Sequence, residues 1–335
     1  MLFLLLLFAF TSKQIIIIKI IILDGGLMKS FDVIIVGSGP AGLSAAIYAA
    51  RGNLKTGVFE KSLVGGQINV TYEVENYPGI PEVLSGFELS DRFKQQADKF
   101  GPEFVDEEIV KIDFESKDGF KKVYTEDGEY LTKAIIIATG AQPRYLNCPG
   151  EEEFTGKGVS YCATCDGALY RNKVVAVIGG GDSAVEEGMF LTKFASKVYV
   201  VHRRDELRAV KSIQDRAFKN DKMEFIWDSV VEEIKGGNFV ENIVLKNVKT
   251  QEKQDLAVDG IFIYVGILPN NALLKDDLKL DKSGFVITNE FMETNIPGVY
   301  AVGDLRKTPL RQVITAASDG AIAAFYAEKY VSELE

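Results

Sequence analysis

Cys162 and Cys165 are separated only by Ala163 and Thr164 in SYCATCDGALY, residues 160–170, and Asp166 follows directly. The chain has three cysteines in 335 residues, so this short stretch holds most of its thiol chemistry. The spacing allows a redox-active disulfide or half of a zinc site, with coincidence as a third reading. The carboxyl of Asp166 beside sulfur can protonate a leaving thiolate if burial raises its pKa, and it can equally serve as a helix N-cap. Cys148 lies outside the motif and reads as a bystander thiol.

Two glycine-rich turns flank the cysteines. In the first, a buried-type strand at 33–36 runs into Gly37-Ser38-Gly39-Pro40-Ala41-Gly42, then an alanine-rich helix and a second strand ending at Glu60. That is G-x-G-x-x-G in strand–turn–helix–strand context, with an acid about 20 residues on where a ribose hydroxyl would bind. Pyrophosphate would rest on the free N–H groups of the helix N-terminus. An acid at the ribose position suits FAD or NAD.

The second turn, Gly179-Gly180-Gly181-Asp182-Ser183-Ala184, lies between strand Val174–Ile178 and a helix from Ser183, and a further strand at 198–201 ends differently. It carries no acid but His202-Arg203-Arg204, with Arg208 a turn later. Guanidinium groups bind a 2′-phosphate through charge-assisted bonds, so this site is expected to take NADPH in preference to NADH. His202, the only histidine, reads as a nucleotide contact, because nothing near it completes a Ser/His/Asp arrangement. Two nucleotide sites suggest two electron carriers, and a flavin couples nicotinamide to thiol chemistry.

These turns need a frame. A chain of 335 residues suggests about two domains. A net charge of −10 argues against a nucleic-acid binder and fits a partner that is a small molecule or a protein. The cysteine usage fits a reducing compartment, and a cytoplasmic location is expected. An amphipathic helix is expected at 91–100, a buried strand meeting Thr139-Gly140 within 134–144, a strand ending near Gly266 within 259–270, and a strand at 299–302 leading through Gly303-Asp304 into a helix at 314–330. The apolar first 27 residues are interrupted by Thr11, Ser12, Lys13, Gln14 and Lys19, and neither half reaches the roughly 20 apolar residues of a spanning helix. They are expected to be a non-native extension, with the native chain starting at Met28; a membrane anchor is the less favoured reading.

GSGPAGLSAAIYAAR, GGQ followed by ENYPG, ATGA, CATCDG, GGGDSAVEE, HRRDELRA and GD followed by RQVITAA occur in one order. This set resembles the low-molecular-weight thioredoxin reductases of prokaryotes over nearly everything from Met28 onward, with CATCDG its most specific piece. The resemblance implies an α/β fold of two Rossmann-like, three-layer dinucleotide-binding domains. The NADPH domain, 145–270, would be inserted into a discontinuous FAD domain, 28–144 and 271–335.

It implies FAD contacts at Gly37, Ser38, Gly39, Pro40, Ala41 and Gly42, at Glu60 and Lys61, at Gly65, Gly66 and Gln67, and at Asn76. Further FAD contacts are implied at Thr139, Gly140 and Ala141, at Gly303, Asp304 and Leu305, and at Arg311, Gln312 and Val313. NADPH contacts are expected at Gly179, Gly181, Asp182, Ser183, Ala184, Glu187, His202, Arg203, Arg204 and Arg208. Cys162, Cys165 and Asp166 are the expected catalytic residues, with Cys165 nearer the flavin. Electrons would pass from NADPH through FAD and the Cys162–Cys165 disulfide to thioredoxin, in a homodimer whose small domain rotates during turnover. Zinc is disfavoured, since four ligands are needed and only Cys148 and His202 remain as candidates. Alternatives are a related flavin disulfide reductase with another donor or acceptor, peroxidase-linked or ferredoxin-linked, and a non-catalytic redox sensor.

Overall fold

A computed structural model describes residues 28–334, apart from 72, 116–118 and 275–276. The extension read for residues 1–27 lies outside the described residues. The chain builds a first sheet from β1 (Lys29–Val36), β2 (Thr56–Glu60), β3 (Glu103–Asp106), β4 (Ile109–Asp113), β5 (Lys121–Thr125) and β6 (Glu129–Ile137), in the order β3-β2-β1-β6-β5-β4. β1 pairs in parallel with β2 and with β6, whose far edge is shared: its start pairs antiparallel with β5. Ile34, Ile35, Ile135 and Ile136 are fully buried, because helices or loops cover both faces and an unbroken apolar run can serve each of them.

After β6 the chain leaves this sheet through β7 (Ala141–Pro143) and enters a second one, with β8 (Val159–Ser160), β9 (Val174–Ile178), β10 (Lys197–Val201) and β11 (Met223–Ile226). A three-stranded antiparallel sheet follows, of β12 (Ser229–Gly236), β13 (Val240–Asn247) and β14 (Lys253–Ala257). β15 (Gly260–Ile263) then returns to the second sheet, whose order is β11-β10-β9-β15-β8, parallel throughout. β16 (Ile267–Pro269) leads back, pairing antiparallel with the outgoing β7. Finally β17 (Val299–Ala301) pairs in parallel with the end of β6. The first sheet is therefore discontinuous in sequence and the second inserted within it, which is the expected α/β class.

The expected strand at 198–201 and the helix at 314–330 are present with wider bounds, and the helix expected at 91–100 is present but shifted toward the N-terminus. Helix α1 (Pro40–Arg51) follows the first glycine turn, and α2 spans Gly86–Asp98. The latter starts five residues earlier than hydrophobic periodicity suggests, because Ser85 and Glu88 form a capping box there. α3 (Ala163–Asp166) carries the cysteines, and α4 (Asp182–Leu191) follows the second glycine turn. α5 is Lys211–Ala217, and α6 runs from Val313 to Glu333. The sheet β12–β14 and the pair β7–β16 were not foreseen. β7 and β16 have three residues each, too few for a period, and β12 and β13 put Val231, Ile234, Val240, Ile243 and Leu245 in the core without a strict alternation along the strand.

α6 packs tightly on α1. Ser44 Oγ donates to the Ala317 carbonyl at 2.6 Å, and a Cβ added at Gly320 would overlap the Ala41 carbonyl oxygen. Helix propensity alone favours Gly320→Ala by about 1 kcal/mol. The obstructing atom is backbone and cannot rotate away, so the overpacking cost of about 1–3 kcal/mol or more should win. Gly320→Ala should therefore lower the urea midpoint; a raised midpoint would show that the helices can move apart freely.

Candidate active site

The two cysteines form a disulfide with a Cα–Cα distance of 5.3 Å. Cys162 is the N-cap of α3, and its Sγ accepts the Cys165 N–H at 3.1 Å. A helix N-terminus gives the sulfurs little help here, since α3 has four residues and the dipole of so short a helix is weak. Three other groups hold the segment. Tyr264, just after β15, accepts the Ala163 N–H at 2.5 Å. Ser160, at the end of β8, accepts the Cys162 N–H at 3.1 Å and donates to Asp166 Oδ2 at 2.5 Å. Asp166 makes no capping bond, so the N-cap alternative does not hold.

Burial pushes the Asp166 carboxyl above its ordinary value, against the pull of the Ser160 hydroxyl, and Glu73 adds to the rise. Such a carboxyl can be a proton donor near neutral pH. Cys148 is half-buried away from this site, packs with the apolar cluster of the second sheet, and has its thiol pushed up to about 11, first by burial and then by Glu151. Among the described residues no three His, Cys, Asp or Glu side chains are placed to hold a metal ion.

In the first glycine turn, Gly37 has φ +100°, and a Cβ there would meet the Ala138 carbonyl at 2.6 Å. A Cβ at Gly42 would overlap the Gly37 carbonyl, whereas one at Gly39 would meet only the Gly65 carbonyl oxygen, at an ordinary contact distance of 3.8 Å. With no closer neighbour at Gly39, a pyrophosphate can approach the Gly39–Ala41 backbone, with Pro40 opening α1. Glu60 folds back on the turn: Oε2 accepts the Ser38 N–H at 2.9 Å and the Ser38 hydroxyl at 2.7 Å. Gly65 donates to the Ser38 carbonyl, and Gly66 lies against Gly39, which brings the Gly65–Gln67 turn to the same place. Lys61 instead points outward to Glu108 at 2.7 Å.

Gly303 packs beside Ala41, and Asp304 next to it is half-buried, with its carboxyl raised by desolvation, partly offset by Arg311. Leu305 is a core residue. Arg311 lies 4.2 Å over the Phe285 ring, and its Nε is buried without a partner. Val313 opens α6. Thr139, Gly140 and Ala141 instead join the crossing to β16: Thr139 Oγ1 donates to the Asn270 carbonyl and Asn270 N–H to the Gly140 carbonyl, at 2.8 and 3.0 Å.

In the second turn, Gly179 has φ +149°, and a Cβ there would meet Ala184 Cβ at 2.7 Å. The loop after β10 folds onto this turn: the Arg208 and Ala209 N–H groups both donate to the Gly180 carbonyl, and the Val210 N–H to Asp182 Oδ1. Arg203, Arg204 and Arg208 are exposed, and none pairs with an acid among the described residues. Ser183 is exposed beside them, while Ala184 is buried. His202 is 4% exposed and lies beneath the turn, its ring where a Gly180 Cβ would be. Burial lowers its pKa, with Arg208, Arg204 and Arg203 adding, so the imidazole is neutral at pH 7. Glu187 has one buried carboxylate oxygen without a partner.

Sequence reasoning missed Ser160, Tyr264 and the direction of the Gln312 side chain. Gln312 and Asn76, expected as flavin contacts, meet at the disulfide: Gln312 Nε2 stands 3.7 Å from Cys162 Sγ and 3.8 Å from Cys165 Sγ, and Asn76 Nδ2 donates to Gln312 Oε1 at 3.2 Å. Only the SYC run around Ser160 offered a local hint.

Two lobes whose glycine turns lie between parallel strands, one of them presenting a disulfide to the other, define a dinucleotide-dependent disulfide oxidoreductase. The sequence profile described as pyridine nucleotide-disulphide oxidoreductase matches residues 31–320. A thioredoxin reductase of Peptoclostridium litorale is 52% identical, over 91% of this chain and 98% of its own. One from Bacillus subtilis strain 168 is 46% identical, over 92% and 96%. The crystal structure of a Streptococcus pyogenes MGAS5005 thioredoxin reductase superposes with TM-score 0.87 at 50% identity, covering 91% of this chain and 99% of its own. A Lactococcus lactis thioredoxin reductase in its FR conformation gives 0.62 at 51% identity, covering 90% and 99%. The chain belongs to the pyridine nucleotide-disulphide oxidoreductases, in the thioredoxin reductase family. That membership implies a flavin and a nicotinamide cofactor.

The raised Asp166 carboxyl carries a stability consequence. Its folded pKa lies above the unfolded value of about 3.9, so the stability it contributes is present below that value and is lost as pH rises through the folded pKa. Asp166→Asn removes that loss. The melting temperature of the variant relative to wild type should rise as pH is raised from about 4 through the folded pKa. An unchanged difference across that range would show that Asp166 titrates as an exposed acid.

Proposed function

We propose that the protein is an NADPH-dependent thioredoxin reductase holding FAD in the first lobe and NADPH in the second. The observation that carries this reading is the Cys162–Cys165 disulfide, borne by the second lobe and touching Gln312 of the first. The residues present fit both groups: an uncrowded glycine backbone at Gly39 and a half-buried Asp304 in one lobe, and in the other three guanidinium groups without acid partners among the described residues. When bound, the nicotinamide supplies two electrons as hydride and the flavin hands them on to the disulfide.

In this reading the chain's own residues do the rest. Gly37–Gly42, Glu60 and Gly65–Gln67 hold the FAD dinucleotide, with Gly303–Leu305 and Arg311–Val313 completing the site. Gly179–Ala184 and Glu187 hold NADPH, and Arg203, Arg204 and Arg208 select its 2′-phosphate, with His202 supporting the turn from below. Asp166 gives a proton to a departing sulfur. The dithiol then reduces thioredoxin by thiol exchange through a mixed disulfide. For that it must leave its place against the first lobe. Relatives of nearly equal identity with TM-scores of 0.87 and 0.62 support two lobe placements, and the single crossing β7–β16 is the hinge between them. A homodimer and a cytoplasmic location come with the same family reading. No helix among the described residues is long and apolar enough to cross a membrane.

Two experiments test this. Cys165→Ser should keep bound FAD, read from its visible spectrum, and lose NADPH-dependent reduction of thioredoxin; unchanged turnover would rule out the dithiol cycle. Arg203→Ala with Arg204→Ala should weaken NADPH by about 100-fold, at about tenfold per charge-assisted contact, and weaken NADH only slightly. Equal losses for the two nucleotides would remove the phosphate assignment.

A further inference from the structure

Gln312 precedes α6 and brings the first lobe to both sulfurs. One hydrogen of its Nε2 goes to the Arg311 carbonyl at 2.7 Å, and its Oε1 accepts from Asn76 Nδ2 at 3.2 Å. Together these partners settle the orientation of the amide, because a flipped amide would set Oε1 against the Arg311 carbonyl oxygen. The second N–H is left for the sulfurs, 3.7 and 3.8 Å away.

A disulfide sulfur is a weak acceptor, so this contact contributes little in the oxidised protein. A thiolate accepts far more strongly. We propose that the Gln312 amide is the hydrogen-bond donor to the sulfur that carries the negative charge once the Cys162–Cys165 bond is open. The inference rests on the reading that this disulfide is reduced by the bound flavin. Two electrons enter and the S–S bond breaks. One sulfur takes a proton from Asp166 and becomes a thiol, and the other keeps the charge beside Gln312. Asp166 is then reprotonated from solvent. Near-equal distances mean that Gln312 stabilises either thiolate and does not choose between them. Because the donor belongs to the other lobe, the stabilisation exists only in this lobe placement. The charged dithiol is thereby held against the first lobe until the contact is released.

Gln312→Glu keeps the shape of the side chain and removes the donor. The flavin-loaded protein, wild type and variant, would be equilibrated in dithiothreitol redox buffers at about pH 8 and about pH 6, and reduced Cys162 and Cys165 trapped with a maleimide and counted by mass spectrometry. At the higher pH the variant should favour the disulfide about tenfold more, about 30 mV. At the lower pH, where protons compete with Gln312 for the charged sulfur, the shift should be smaller. Gln312→Leu, which adds no charge, and Asn76→Ala, which frees the amide, should shift the equilibrium in the same direction, and they serve if Gln312→Glu does not fold. A shift of equal size at both pH values, or none in any variant, would overturn the proposal. The readout is the protein's own thiols. A wild type that shows no thioredoxin turnover while the variants show the pH-dependent shift would sink the acceptor assignment and leave this inference standing.

Discussion

Thr139 and Asn270 exchange hydrogen bonds where the chain leaves the first sheet and where it returns: Thr139 Oγ1 to the Asn270 carbonyl, and Asn270 Nδ2 to the Thr139 carbonyl, both at 2.8 Å. Directly beyond, β7 and β16 run antiparallel through three paired residues, and the Arg144 N–H reaches the Gly266 carbonyl at 2.9 Å. The inserted lobe has no other covalent connection to the first. Every contact between the disulfide and the first lobe, Gln312 included, depends on where this narrow pair sets the insertion. A two-strand ribbon is also the easiest element to bend, since few side chains must repack when it twists.

The two glycine turns solve one steric problem in two ways. In both, a strand must bend sharply into a helix while its backbone stays open to an anionic ligand. At the first, the sixth residue must be glycine, because any Cβ at Gly42 would strike the Gly37 carbonyl. At the second, Gly179 takes φ +149° and the sixth position tolerates Ala184, whose methyl fills the space that Gly179 leaves. The departure from a strict glycine pattern is thus packing within the turn. What distinguishes the two sites chemically is the end of the following strand: an acid folded back on the turn in one lobe, and in the other guanidinium groups, without acid partners among the described residues, over a buried neutral imidazole.

Burial of acids recurs beside both reactive regions. Asp166 near the disulfide and Asp304 at the end of the first lobe's last strand each have the protonated form favoured by desolvation. A third acid, Asp319 on α6, is handled differently. It pairs with Arg306 at 2.6 and 3.0 Å and accepts the Gly303 N–H at 3.1 Å, and so pins the turn that carries Asp304. A buried acid with a guanidinium partner serves as structure, whereas one left with only a hydroxyl partner is available for proton transfer.

Local chemistry wrote much of this protein legibly. Glycines whose missing Cβ makes a turn possible, an alanine-rich helix behind Pro40, apolar runs for β1, β6 and β9, a C-x-x-C pair with an adjoining acid, and arginines at a strand end are each dictated by residues within a few positions of one another. Their sterics and charge are the same in any context, so the amino-acid order alone determined two dinucleotide-type lobes and a thiol pair. The approach of Gln312 to Cys162 across 150 residues, the Tyr264 hydroxyl under the Ala163 N–H across 101, and the Thr139–Asn270 stitch across 131 have no such local cause. Each is a distance between groups on separate elements, fixed by how sheets pair and helices pack. Only the tertiary structure decided them, because a side chain's type says what it can bond to and the fold alone says what is near enough to accept.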